Sequence, residues 1–265
     1  ISSAATRERD KFHIKKHLSE NIDLIDVTDD YCVLGLFGPK SRELMSNISD
    51  DDFSNDKFKF GTSKKIKIDE INIWVQRLSY VGELGFELYV KMSDANTLYE
   101  LLIKNGKNYD ISNCGMHAMD IMRMESGFLH WGHDISPEEN QYEAGLDFAI
   151  SYKKDSDFIG KEALLKIKEQ KLKKKFVMLS LKESAPGEPL LLHDEPIYLE
   201  EKIVGRTTSG NYSFNYNKNL SFGYINANVS NSDLQDKNLF IEVAKIKYPA
   251  DLEISPLKSK KNRLV

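Results

Sequence analysis

The sequence predicts an α+β chain in two parts: a region to residue 168 in which strands alternate with helices, and a region from 169 to 265 made of short, closely spaced strands. Three observations lead there. Around a glycine-bounded corner, Ile71, Ile73 and Val75 alternate with Asn72, Trp74 and Gln76, and Phe86, Leu88 and Val90 alternate with Glu87 and Tyr89, the period of half-buried strands. Apolar stripes at helical spacing, such as Leu98, Leu101 and Leu102, lie between such strands. After the lysine-rich stretch Lys161 to Lys175 the rhythm changes, and strand-like runs recur between Gly, Pro, Asn and Asp turns, as in a small barrel or sandwich.

The elements follow in order. Residues 1 to 20 carry charge at spacings that suit an exposed helix; His13 and His17 are four apart, and with no third ligand nearby a solvated helix face is the expected reading. Tyr31 to Phe37 reads as a buried strand, and Gly38 to Met45 as a helix with Pro39 in its first turn. Lys64 to Ile68 is a strand leading into the central pair. Ser93 caps a helix carrying Asp94 in its first turn and ending at Gly106. Gly115 to Gly127 gives a second helix. Its Met116, Met119 and Met122 form an apolar row read as core, and His117, Asp120 and Arg123 a polar one. His133 and Asp134 follow in a loop, where packing a corner is the expected role and acid/base work the alternative. Tyr142 to Ile150 is a further strand candidate. In the second part, Phe176 to Leu181, Glu188 to Leu192, Lys202 to Thr208, Leu220 to Ile225 and Leu239 to Lys247 read as strands.

Composition narrows the functional classes. An apolar content of 40% supports real cores, and a net charge of -4 argues against a general nucleic-acid grip. No apolar run approaches the length of about 20 residues that spans a bilayer. Cys32 and Cys114 suggest neither a disulfide framework nor a zinc site, so a reducing, cytoplasmic setting is the expectation and no metal is assigned. The chain begins at Ile1 rather than Met, which leaves a targeting signal open. The corner from Arg77 to Val90 concentrates the chemistry: Gly82 and Gly85 allow tight backbone or close approach, and Glu87 and Tyr89 share one strand face. It is either a hairpin with a charged tip or a ligand-facing turn.

Six blocks in fixed order then add up. Phe37-Gly38-Pro39-Lys40-Ser41-Arg42, Tyr80-Val81-Gly82-Glu83-Leu84-Gly85-Phe86-Glu87, Arg123-Met124-Glu125-Ser126-Gly127-Phe128 with Trp131-Gly132, Tyr142 to Leu146, Asp157 to Leu164, and Val204 to Gly210 together resemble the glycine-cleavage T-protein (aminomethyltransferase) superfamily. Val81 and Leu84 stand where T-proteins proper usually have Thr and Asp. With Ala4-Ala5-Thr6 through Arg9-Asp10, they make the chain most similar to the folate-binding C-terminal part of sarcosine and dimethylglycine dehydrogenases.

The resemblance implies a folate-transferase fold: a folate-binding aminomethyltransferase-like domain over 1–168, truncated at its N-terminus and including a ferredoxin-like α/β unit, then a C-terminal β-barrel domain over 169–265. It implies tetrahydrofolate as cofactor and one-carbon transfer as reaction. In the dehydrogenase branch a separate N-terminal flavin domain carrying FAD oxidises an N-methyl amine, whose carbon is captured as 5,10-methylenetetrahydrofolate; in the T-protein branch the carbon arrives on an aminomethyl-lipoyl arm. A third possibility is a non-catalytic folate-binding or docking module. The family's pterin-binding glutamate maps to Glu87, whose carboxylate can accept a pterin's adjacent N–H and amino groups as a bidentate pair. Glu83 is the second carboxylate of the corner, Tyr80 and Tyr89 are candidate ring contacts, and Phe148 and Lys175 fall where the family often places an aromatic residue and an arginine. Met119 replaces an arginine of the aminomethyltransferases, and Gln141 a proline. The family's catalytic aspartate lies upstream of any segment here, so no catalytic residue is assigned and the chain alone is expected to be inactive. Neither a nucleic acid nor a membrane is expected among the partners.

Overall fold

A computed structural model describes residues 1, 2 and 4–259, which group into two compact units. The first comprises Ile1–Ser79 with Glu83–Asn113, the second residues 80–82 with 114–259.

In the first unit, β1 (Tyr31–Phe37), β2 (Ser63–Ile68), β3 (Ile71–Gln76) and β4 (Gly85–Lys91) form an antiparallel sheet in the order β1-β4-β3-β2. The alternation seen in the sequence sets the register. Val75 pairs with Leu88, so Trp74 falls opposite Tyr89 and Gln76 opposite Glu87. One face, carrying Ile66, Ile68, Ile71, Ile73, Val75, Phe86, Leu88 and Val90, packs with Leu44 and Met45 of α2 (Ser41–Ile48), Leu98 and Leu102 of α3 (Ala95–Gly106), Phe53 and Phe58. Each such side chain contributes about 1.5–3 kcal/mol on burial, which strongly specifies this face. The opposite face carries Lys65, Asn72, Trp74, Glu87 and Tyr89. α1 (Arg7–His17) buries none of its residues and is tied by Arg7 Nε to Asp26 Oδ2 at 2.8 Å.

Two readings change here. β1 is an edge strand with β4 as its neighbour, so Val33 is 49% exposed and the strand is not buried on both sides. α2 starts at Ser41, which leaves Pro39 in the turn before the helix. Gly38, with φ +127°, makes that turn and donates its N–H to the Leu84 carbonyl at 2.8 Å.

In the second unit a closed barrel runs β10-β5-β8-β7-β6-β9, built from β5 (Lys174–Leu181), β6 (Pro196–Leu199), β7 (Lys202–Ser213), β8 (Lys218–Asn226), β9 (Leu239–Val243) and β10 (Ile246–Glu253). Val177, Leu179, Leu191, Ile197, Val204, Ile225, Leu239 and Ile241 form its core with Leu234 of α6 (Asn231–Asp236). α4 (Met116–Glu125) packs through Ile121 and Met124 on Met178, Leu220 and Phe222. α5 (Lys161–Lys168) buries none of its residues.

Three strand readings and one helix reading of this half change. Residues 142–150 form turns, because the Asn140 side chain accepts the N–H groups of Tyr142 and Glu143 at 3.0 Å and Gly145 takes φ +67°. Glu188 to Leu192 is irregular behind Gly187 at φ +77°, and the barrel uses Pro196–Leu199 instead, a short strand opening on a proline. The run Leu239 to Lys247 is two strands, β9 and β10, joined at Ala244 and Lys245, which adopt φ +50° and +69° without the Gly or Asn that advertises such a turn. The methionine row of α4 is not the core: Met116 is 71% exposed, and the buried residues are Ile121, Arg123, Met124 and Glu125.

Candidate functional site

The outer face of β4 presents Glu87 and Tyr89, two residues apart and therefore side by side. Tyr89 Oη donates to Glu87 Oε2 at 2.7 Å, and the Trp74 ring, brought across by the β3–β4 register, lies 5.4 Å from the Tyr89 ring. Burial first, and the bond to Glu87 second, push the Tyr89 hydroxyl well above the usual tyrosine range, so it stays protonated and a donor. Glu87 is half-buried, and its carboxylate is held by a neutral hydroxyl with no salt bridge to a cation among the described residues. Each carboxylate oxygen has two acceptor directions, so Oε1 and the second lone pair of Oε2 can receive a pair of adjacent ligand N–H groups. Glu83 is also half-buried, in the irregular stretch before β4.

Arg77, at the start of the same corner, is fully buried and donates to the Phe58 carbonyl at 2.5 Å and to Asn55 Oδ1 at 2.6 Å. Its work is to close the β3–β4 connection on the core rather than to meet a ligand.

The other predicted residues belong to the second unit. Tyr80 donates to the Leu129 carbonyl at 3.3 Å and stacks on Phe128 with centroids 6.3 Å apart; burial raises its hydroxyl above the usual range. Phe148 is 82% exposed in a one-turn 3-10 segment, Asp147–Ala149. Lys175, in β5, donates to Asn231 Oδ1 at 2.7 Å, and burial lowers its ammonium below the usual lysine range. The structure therefore joins Glu87 to Tyr89 directly, and each of the remaining side chains has its own surroundings.

The acid/base alternative for His133 and Asp134 is overturned by what surrounds Asp134. It is buried in an ion pair with Arg123 of α4, and its oxygens also accept from Thr208 Oγ1 at 2.6 Å, Ser209 Oγ at 2.7 Å and the His130 N–H at 2.8 Å. Arg123 in turn donates to Asp120, Phe128 and Ser209. A carboxylate saturated in this way carries structure between α4 and β7, not a proton to a substrate. The predicted polar row survives in the bond between Asp120 and Arg123. Sequence reasoning missed this network, and also missed Trp74, whose place beside Tyr89 follows from pairing Val75 with Leu88. Among the described residues no group of three or more His, Cys, Asp and Glu is disposed to hold a metal ion, and no helix is long and apolar enough to cross a membrane.

Residues 1–154 match the family model of the GCVT N-terminal domain, and residues 174–257 that of the glycine cleavage T-protein C-terminal barrel domain. The chain belongs to the glycine cleavage T-protein family. Within it, the chain is 36% identical over 237 residues to mitochondrial dimethylglycine dehydrogenase of Rattus norvegicus, a match covering 89% of this chain and 27% of that protein. It is 33% identical over 225 residues to the aminomethyltransferase of Listeria welshimeri, covering 85% of this chain and 60% of that one. The chain thus spans about a quarter of the length of the dehydrogenases it matches. Among solved structures, glycine cleavage system aminomethyltransferase T from Bartonella henselae shares the fold with a TM-score of 0.80 at 20% identity, over 97% of this chain and 67% of that one.

Proposed function

We propose that this T-protein family chain is the tetrahydrofolate-dependent one-carbon transfer portion of a flavin-linked dehydrogenase of the sarcosine or dimethylglycine type. The observation that carries the reading is the Glu87 and Tyr89 pair. It offers an anionic acceptor, oriented by a hydroxyl and flanked by Trp74, on the sheet face turned away from the core. That acceptor with its aromatic flank fits a pterin, whose ring N–H and amino group present two donors side by side and whose flat body packs against indole and phenol. Glu87 holds and orients the ring; Tyr89 holds the carboxylate rotamer. Bound tetrahydrofolate supplies the nitrogens that accept the one-carbon unit. Tyr80, Glu83, Phe148 and Lys175 are proposed as further folate contacts on the strength of the resemblance. Flavin chemistry, and with it the choice of N-methyl amine, falls to residues outside those matched here.

Identity to dimethylglycine dehydrogenase over most of the chain supports the dehydrogenase branch. The Listeria match, which reaches a larger share of its relative, favours a stand-alone aminomethyltransferase as the second reading. Titration calorimetry with tetrahydrofolate tests the site: binding by the parent that collapses in Glu87→Gln supports it, and equal binding by both removes Glu87 from it. Methylenetetrahydrofolate formation by the full-length protein separates the branches. Turnover of an N-methyl glycine with copurified flavin supports the first, and dependence on an aminomethyl-lipoyl carrier supports the second.

A further inference from the structure

We propose that Lys258, with its buried partner Glu125, is a positioning residue for the corner Tyr80-Val81-Gly82, and that Pro256 to Lys258 form a strap across it. The inference rests on reading Tyr80 as a folate contact, and all its atoms lie within the second unit. Lys258 Nζ lies 3.2 Å from Glu125 Oε2 and donates to the Val81 carbonyl, also at 3.2 Å, while the Lys258 N–H donates to the Glu125 carbonyl at 2.8 Å. Both side chains are buried. Glu125, the last residue of α4, is itself fixed from the barrel: Ser213 Oγ donates to its Oε1 at 2.6 Å and Asn215 Nδ2 at 3.1 Å.

Close packing completes the clamp. Gly82 takes φ +72°, and a Cβ there would lie 1.9 Å from Ser126 Oγ and 3.2 Å from Lys258 Cδ. Gly127, also at +72°, has Pro256 Cγ where a Cβ would stand, at 2.6 Å. Ser126 Oγ has its shorter bond to the Met122 carbonyl at 3.1 Å and lies 3.4 Å from the Val81 carbonyl, so the charged Lys258 group is the main donor to that carbonyl. A buried ion pair is seldom the most stable way to fill such a space, because apolar replacements often match it. What Lys258 adds is direction: its ammonium group reaches past Glu125 to a backbone acceptor one residue from Tyr80, whose ring is pinned on Phe128.

The test compares the parent, Lys258→Met and Lys258→Arg in the 265-residue chain by amide hydrogen exchange and by tetrahydrofolate titration. Lys258→Met is expected to speed exchange of the residue 80–83 amides by about tenfold while leaving the β7 and β8 amides unchanged. It is expected to weaken tetrahydrofolate binding by about fivefold, and Lys258→Arg to restore both. Unchanged exchange at 80–83, or acceleration shared equally with the barrel strands, overturns the strap. If the parent binds no folate, the reading of Tyr80 fails while the exchange measurement still decides the strap. Should Lys258→Met not fold, the double variant Glu125→Gln/Lys258→Met, which leaves no unpaired buried charge, carries the same readouts.

Discussion

Tyr89 Oη donates to Glu87 Oε2 at 2.7 Å, and the proposed pterin contact rests on this held carboxylate. Removing the charge while keeping the shape is therefore informative. Glu87→Gln is expected to weaken tetrahydrofolate binding by about 10- to 100-fold, the loss of charge-assisted hydrogen bonds worth about 1.5–3 kcal/mol, with little change in melting temperature. Tyr89→Phe keeps the carboxylate and frees its rotamer, so a smaller loss is expected in the same calorimetric titration. Because Glu87 raises the Tyr89 hydroxyl, Glu87→Gln also brings its ionisation to lower pH in an ultraviolet titration.

Arg123 and Asp134 behave as one unit. Asp134→Ala leaves the buried Arg123 guanidinium with Asp120 as its remaining ion-pair partner and orphans the Thr208, Ser209 and His130 donors, and is expected to cost about 3–5 kcal/mol in urea denaturation. Arg123→Met with Asp134→Ala removes both charges, and its cost is expected to fall well short of the sum of the single variants.

His130 gives the fold a pH dependence of known sign. Burial first, then the His133 ring at 4.6 Å and Arg123, hold its imidazole below the ordinary value of 6.5, with Asp120 and Asp134 opposing. A depressed base favours the neutral form in the native state, so its contribution to stability is complete above 6.5 and is lost as pH falls through its native value. An NMR titration is expected to place the His130 midpoint below that of an unfolded histidine, and His133→Ala to move it upward.

The β9–β10 turn is open to improvement. Ala244 and Lys245 both hold positive φ, a conformation that disfavours residues with a Cβ. Ala244→Asn with Lys245→Gly is expected to stabilise the chain by about 1 kcal/mol, seen as a rise of about 2–4 °C in calorimetry. No change would show that the turn is not strained.

What the sequence disclosed follows from where one face of an element is buried and the other is not. Phe86, Leu88 and Val90 had to point one way, and that put Glu87 beside Tyr89 on the other face. The Arg123–Asp134 and Glu125–Lys258 pairs were hidden because nothing local distinguishes a buried charge from a solvated one; their partners come from distant loops and strands. Residues 142–150 misled for the opposite reason. Their apolar alternation was real, but the Asn140 side chain and Gly145 offered the backbone a competing set of turns.

β10 pairs with β5 on one side and β9 on the other. During synthesis the barrel therefore cannot close until residues 246–253 have left the ribosome, and β5, made some 70 residues earlier, waits with one row of amides unsatisfied. A chain stopped before Ile246 exposes two strand edges at once. Premature termination in this stretch should yield a sticky, chaperone-dependent product rather than a slightly shorter barrel.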